Sequence, residues 1–122
     1  MDELVDQVVG SVGTARTAAE RAVGIILDFL ATEGPADTVK AMLERMPGAG
    51  EAAAVAHAEG GGGLLGGMGG IMGVGSRLMS AGLGMSEIQG VARVLIAYAR
   101  DKAGDDDVNA IVDSIPGLSQ FI

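Results

Sequence analysis

His57 is the only histidine in this chain of 122 residues, and histidine is the commonest general base and a frequent metal ligand. A general base needs a positioned partner, but the nearby carboxylate of Glu59 falls on another face of a helix. No nucleophile-elbow motif accompanies the histidine. We therefore expect a solvated histidine near a helix end, and we predict no catalytic residue, no metal ligand and no cofactor.

Asp105, Asp106 and Asp107 form the densest run of charge. A calcium loop would need alternating oxygen ligands, a turn glycine and a glutamate at its twelfth position. The run is instead followed by Val108-Asn109-Ala110. Three carboxylates in a row are favourable at the N-terminus of a helix, so the sequence predicts a structural role for them.

The segment 60–76 has no charged residue, and more than half of its positions are glycine. A phosphate-binding loop would need a lysine after the glycines, whereas the nearest base is Arg77. Gly62, Gly66 and Gly70 have the spacing of a glycine zipper, and a flexible linker is the third alternative. Composition favours the linker, so we expect residues 60–70 to exchange amide hydrogens near the unprotected limit. The apolar residues of the segment are candidates for partner contact: Leu64, Leu65, Met68, Ile71 and Met72.

A second apolar group follows Pro116-Gly117 and consists of Leu118, Phe121 and Ile122. This tail could fold back and bury Phe121 against Ile26 and Leu95, or it could project as a hook for a partner. We favour folding back, because a core with few aromatic residues gains about 2–3 kcal/mol from a buried phenylalanine. Deleting residues 118–122 should then lower thermal stability.

The elements that position these residues are predicted to occur twice in the chain. Thr17-Ala-Ala-Glu20 and Ser86-Glu-Ile-Gln89 read as capping boxes, each of which begins a long helix. We call the shift along the sequence that takes Thr17 to Ser86 the repeat offset. An apolar stripe with helical spacing follows each box at this offset. The stripes are Ala19, Ala22, Val23, Ile26, Phe29 and Leu30, and then Ile88, Val91, Ala92, Leu95, Tyr98 and Ala99.

A shorter helix is predicted after each long one. Asp37 and Asp106 are placed to cap it, and Pro47 and Pro116 to end it. The stripes are Val39, Met42, Leu43 and Met46, and then Val108, Ile111, Val112 and Ile115. Leading helices over 3–12 and 74–83 complete each copy, and Gly13 and Gly82 end them.

The predicted fold is all-α: a small helical bundle of two pseudo-symmetric three-helix repeats joined by a glycine-rich segment. It forms one domain, 1–122, because one repeat is too small to bury its own stripes. Its parts are repeat one at 3–49, a weak helix at 50–58 within the joining segment 50–73, repeat two at 74–118, and the apolar tail at 119–122. We expect Ile26 and Leu95 to occupy equivalent buried positions, and likewise Leu43 and Val112.

Three further pieces of sequence belong to this pattern, namely Ala18-Ala-Glu-Arg-Ala-Val23, Met46-Pro47 and Ile115-Pro116. Through them the chain resembles the bacterial "domain of unknown function 2267" family over residues 3–49 and 74–118. The resemblance implies a protein of two helical copies, and it transfers no catalytic or binding residue.

Charge and composition exclude several classes of function. Sixteen acidic residues oppose eight basic ones, which argues against binding to nucleic acid or to anionic lipid. The absence of cysteine excludes disulfides, thiolate zinc sites and cysteine nucleophiles. The acidic residues Asp2, Glu3 and Asp6 do not fit a signal peptide, so we expect a bacterial, cytoplasmic protein.

The sequence thus favours a non-enzymatic interaction or scaffold module that associates with itself or with a protein partner. A protein that uses residues 60–76 to bind a membrane or a membrane protein is the alternative. An enzyme of unknown type is the third possibility.

Overall fold

The computed structural model describes residues 2–46, 48–60 and 70–115. Over these residues the chain forms seven α-helices and no strand, which confirms the predicted all-α class. The helices are α1 (Asp2–Val12), α2 (Arg16–Glu33), α3 (Ala36–Arg45), α4 (Ala49–Gly60), α5 (Gly70–Ser80), α6 (Met85–Ala103) and α7 (Asp105–Ser114).

A glycine in the left-handed region follows each of the two leading helices, α1 and α5. Gly13 has a φ of 80°, and its N–H donates to the carbonyl of Val9 at 3.0 Å after α1. Gly82 has a φ of 98°, and its N–H donates to the carbonyl of Met79 at 3.0 Å after α5. A side chain would strain the backbone at both positions, so the predicted helix ends at Gly13 and Gly82 have a physical cause.

The predicted capping boxes are wrong in detail. Helices α2 and α6 begin at Arg16 and Met85, so Thr17 and Ser86 lie inside the first turn. Gly84 occupies the cap position of α6, and its N–H donates to Oε1 of Glu87 at 3.1 Å. The carboxylate of Glu87 therefore satisfies the end of this helix, three residues after a glycine that contributes no side chain.

The predicted caps of the shorter helices are displaced in the same way. Pro35 precedes α3 and Gly104 precedes α7, so Asp37 and Asp106 lie in the first helical turn. Carboxylates there are stabilised by the positive end of the helix dipole. Asp105, Asp106 and Asp107 all belong to the first turn of α7, as the structural interpretation of this run predicts.

The predicted stripes of α2 and α6 are buried at every position. The stripe on α7 is buried throughout, including Val112, whereas Leu43 on α3 is only partly buried at the edge of the core. Ile26 and Leu95 are both buried, as expected. Among the described residues, the core is thus built almost entirely from aliphatic side chains, with Phe29 and Tyr98 as its aromatic members.

Two more helices cover α2. The predicted weak helix is α4, which buries Ala49, Ala53 and Ala56 and packs along α2. Helix α5 begins at Gly70, so the last residues of the predicted joining segment 50–73 are helical. It packs on α2 and buries Val74 and Leu78.

Other contacts join the two halves of the chain. Helix α1 packs on α6, α2 contacts α6, and α3 contacts α7. In the described part of the chain, no helix combines the length and the apolar character that a membrane crossing requires. The predicted cytoplasmic location stays a prediction.

Candidate functional site

Asp28 is the one charged residue that is buried among the described residues. It lies in the middle of α2, between the core residues Leu27 and Phe29. A carboxylate in such a place is strongly destabilising unless it is paired and hydrogen-bonded. The surroundings of Asp28 are therefore a candidate functional site.

Two side chains from other helices satisfy the carboxylate of Asp28. Nη1 of Arg77, on α5, donates to Oδ2 at 2.9 Å. Nδ1 of His57, on α4, lies 3.1 Å from Oδ1. Arg77 also donates from Nη2 to the carbonyl of Ala56 at 2.7 Å. We call Asp28, His57 and Arg77 the Asp28 cluster; it ties α2, α4 and α5 together.

The three members of the Asp28 cluster differ in their access to water. The side chain of Asp28 is 9% exposed, that of Arg77 is 21% exposed, and that of His57 is 68% exposed. The cluster thus has a buried anion, a half-buried cation and an imidazole at the surface. The attraction between Asp28 and Arg77 is little screened by solvent, whereas the contact with His57 is open to it.

The contact between Asp28 and His57 has the arrangement of an acid–base pair. When Nδ1–H donates to the carboxylate, Nε2 keeps its lone pair and faces away from the aspartate. A buried carboxylate orients histidine in this way in many hydrolases. Such enzymes also need a nucleophile and donors for the oxyanion, and no described hydrogen bond connects His57 to a serine or a threonine. The pair can therefore fix the imidazole, but the described contacts do not assemble a complete catalytic site.

The structure corrects the sequence-based view of His57. The residue lies near the end of α4 and is exposed, as predicted, but it has a partner that the sequence analysis did not consider. The overlooked partner, Asp28, comes from α2, 29 residues away. One signal could have revealed it, because an aspartate inside the apolar run Ile25-Ile26-Leu27 and Phe29-Leu30 must find a cationic partner.

Metal ligation receives no support from the described side chains. Among them there is no group of three or more histidine, aspartate or glutamate residues arranged to hold a metal ion.

An open cleft lies at the start of α7, where Arg45 and the three aspartates Asp105, Asp106 and Asp107 line it. Nη1 of Arg45 donates to the carbonyl of Ala103 at 3.4 Å, at the end of α6.

A cleft of about 430 Å³ lies between α2 and α4. Gly24 lies in its floor, where a Cβ atom would come within 2.8 Å of the backbone oxygen of Ala52. Val55 stands at its edge with 58% of its surface exposed. The residues that line this α2/α4 cleft are Val5, Thr17, Glu20, Arg21, Gly24, Gly48, Glu51, Ala52, Val55 and Ala56.

A smaller cleft of about 310 Å³ lies between the end of α1 and the start of α6. Gly90 lets the two helices approach, because a Cβ atom there would lie 2.8 Å from Cγ2 of Val12. The residues that line this α1/α6 cleft are Ser11, Val12, Ser86, Glu87, Gly90, Arg93 and Val94.

The candidate interaction residues predicted from the sequence lie outside what the structure describes. Residues 61–69 and 116–122 are not among the described residues, and the side chains of residues 71 and 72 are not described. The predictions for Leu64, Leu65, Met68, Ile71, Met72, Leu118, Phe121 and Ile122 therefore stay predictions. The sequence reasoning also missed Val55, because a single valine in an alanine-rich helix gives no signal.

Comparison with known proteins gives no assignment. No protein-family model, no curated protein and no solved structure matches this chain. The resemblance to the "domain of unknown function 2267" family therefore stays a prediction.

Proposed function

We propose that this chain is a non-enzymatic protein-interaction module that associates with itself. The observation that carries the proposal is the α2/α4 cleft, which has an apolar floor of small residues and an exposed valine at its edge. A concave, mostly apolar surface with a polar rim is typical of binding sites.

The chemistry of the cleft suits an amphipathic helix. Gly24, Ala52 and Ala56 form a shallow apolar surface, and Glu20, Arg21 and Glu51 lie around it. An apolar stripe could pack on the floor while charged residues of both signs contact its flanks. A second copy of the chain can supply apolar contacts, because the described surface exposes Met79 and Met85.

The two-repeat organisation is part of the same proposal. The repeat offset takes the first residue of α2 to the first residue of α6, and the first residue of α3 to that of α7. It also takes the left-handed Gly13 to the left-handed Gly82. The packing supports this proposal, because the leading helix of each repeat lies on the long helix of the other repeat: α1 packs on α6, and α5 packs on α2.

Sedimentation equilibrium of the full chain tests self-association. We expect the protein to dimerise, and we expect Val55→Glu to weaken the dimer by about tenfold or more, because a charge would enter an apolar contact. Ala54→Glu is the matched control, since Ala54 is exposed on the same helix and does not line the cleft. A protein that stays monomeric at all concentrations, or equal effects of the two variants, would contradict the proposal.

The membrane alternative loses part of its proposed surface. It used residues 60–76, but Val74 is buried in the core, and Arg77 immediately after the segment is bonded to Asp28. Liposome flotation at physiological salt would separate the two functions. We expect the protein to stay in the dense fraction, and co-flotation with vesicles would favour the membrane alternative.

A further inference from the structure

The outer face of α6 is open where the corresponding face of α2 is covered. On α2, Gly24 and Asp28 are buried beneath α4 and α5. The repeat offset takes these two positions to Arg93 and Ala97 on α6, and both are exposed. Val94, which corresponds to the buried Ile25, is only partly buried. The α1/α6 cleft lies on this open face.

The way in which α4 reaches α2 shows what is missing from α6. After Met46 the chain turns at Gly48, which has a φ of 81°, and the N–H of Ala49 donates to the carbonyl of Met46 at 3.0 Å. Helix α4 begins at Ala49 and runs beside α2 in the same direction, with Ala52 against Gly24 and His57 against Asp28. Only two residues therefore separate the end of the unit, at the buried Met46, from a helix that packs back on it.

The sequence repeats this arrangement after α7. Ile115 is buried like Met46, and Pro116-Gly117 follows it as Pro47-Gly48 follows Met46. The next apolar residues have the helical spacing i, i+3 and i+4, and the repeat offset relates them to buried or partly buried positions of α4. They are Leu118, Phe121 and Ile122, in register with Ala49, Ala52 and Ala53.

The tail residues are larger than the alanines of α4 with which they are in register, and this difference agrees with the different surface that α6 offers. Helices α2 and α4 meet closely, because Gly24 faces alanines and no larger residue would fit. On the second unit a cleft of about 310 Å³ remains open between α1 and α6. Arg93 stands on α6 where Gly24 stands on α2, so a segment that lies on α6 must stay farther from the helix axis, and leucine, phenylalanine and isoleucine fill space that three alanines would leave empty.

We propose that residues 116–122 bind in the α1/α6 cleft of their own chain, as the counterpart of the first turns of α4. This inference rests on the two-repeat organisation proposed above. It assigns Phe121 to the surface near Gly90, Arg93 and Val94, and so moves it away from Ile26 and Leu95, the contacts expected from the sequence. The bound segment would cover the open face of α6.

A single tryptophan tests this placement, because the chain contains none. In the full-length variant Phe121→Trp, we expect a blue-shifted emission and several-fold weaker quenching by acrylamide than for a free tryptophan derivative. Both should be independent of protein concentration. A fully exposed tryptophan would overturn the proposal, and burial that appears only at high concentration would show that the occupant is a second copy.

A charge in the cleft supplies the second measurement. In the Phe121→Trp background we expect Val94→Asp to restore exposed emission while circular dichroism shows an intact helical fold. Ala54→Asp, at an exposed position of α4 that lines neither cleft, is the matched control and should leave the emission unchanged. An emission that does not respond to Val94→Asp would place the tryptophan elsewhere and contradict the assignment.

The outcome is distinguishable from that of the proposed self-association. A monomeric protein with a buried tryptophan supports the present inference and contradicts self-association. A dimer that depends on Val55 and has an exposed tryptophan does the reverse.

Discussion

Helices α2 and α6 are the two longest helices of the described chain, and they bury similar apolar stripes but have different neighbours on their other faces. Both bury a full apolar stripe against the other helices of the bundle. Helix α2 also buries Gly24 and Asp28 beneath α4 and α5, while the corresponding residues of α6, Arg93 and Ala97, are exposed. The inner faces of the two helices are thus alike, and their outer faces differ.

The comparison shows that the neighbours of a helix decide which polar residue it can bury. Asp28 is tolerated on α2 because Arg77 and His57 both reach its carboxylate. Each partner belongs to a helix that packs on α2, so the charge is compensated only when α4 and α5 are in place. On α6, the charged residue Arg93 remains in contact with water and needs no such compensation.

The largest expected effect comes from removing the arginine of the Asp28 cluster. Arg77→Met keeps an apolar side chain of similar length but leaves a buried carboxylate with only an exposed histidine as its partner. We expect a loss of about 3 kcal/mol in the free energy of unfolding, measured by chemical denaturation. Lys40→Met, at an exposed position of α3 that lines none of the clefts described above, is the control and should stay within about 0.5 kcal/mol of the parent protein.

A rescue experiment sharpens this prediction. If the loss comes from the unpaired charge, Asp28→Leu added to Arg77→Met should recover much of it, because an apolar pair replaces a buried ion. A double variant as unstable as Arg77→Met alone would instead attribute the loss to the packing of α5. An unchanged stability of Arg77→Met would contradict the role assigned to the cluster.

The next effect separates two glycines that are equally crowded. A Cβ atom on Gly24 would meet the backbone oxygen of Ala52 at 2.8 Å, whereas one on Gly90 would meet the side chain of Val12 at the same distance. Backbone in a packed helix cannot yield, but a partly buried valine at a helix end can. We therefore expect Gly24→Ala to destabilise the protein by about 1–2 kcal/mol, and Gly90→Ala to be close to neutral because helix propensity offsets the contact.

A third variant, Gly10→Ala, provides the reference for the stability changes of Gly24→Ala and Gly90→Ala. Gly10 lies inside α1, and a Cβ atom there would meet no other atom within 4 Å, so alanine should stabilise the protein by about 0.5–1 kcal/mol. Thermal unfolding of the three single variants gives the order directly. Equal losses for Gly24→Ala and Gly90→Ala would mean that α1 is held against α6 as rigidly as α4 is held against α2.

The sequence predicted the helices and their buried stripes well, because these follow from local spacing. Ile26 and Leu95 could be assigned to the core from periodicity alone, and the left-handed glycines marked helix ends. The cap residues were wrong by a small shift in the chain. An aspartate, serine or threonine near a helix start is a signal for the region of the start, and the backbone at Pro35, Gly84 and Gly104 decides the residue.

The candidate site could not be predicted in the same way, because it depends on contacts between distant segments. Nothing local connects Asp28 with Arg77, which are 49 residues apart and separated by the glycine-rich segment. The sequence did contain one usable contradiction, namely an aspartate within the apolar stripe region of α2. The partner of Asp28 could have been a basic residue or the single histidine, and no local rule chooses between them.

The smallest expected effect concerns His57. His57→Ala should cost less than about 1 kcal/mol in the free energy of unfolding, because the imidazole is 68% exposed and Arg77 still satisfies the carboxylate of Asp28. The same change in the Arg77→Met background should cost more, since it removes the last described side-chain partner of that carboxylate. A double-mutant cycle by chemical denaturation measures this coupling, which we expect to be about 1 kcal/mol or larger. A loss of several kcal/mol for His57→Ala alone would make the histidine the principal partner of Asp28. Strict additivity of the two changes would contradict the expected coupling and show that His57 and Arg77 stabilise the cluster independently of each other.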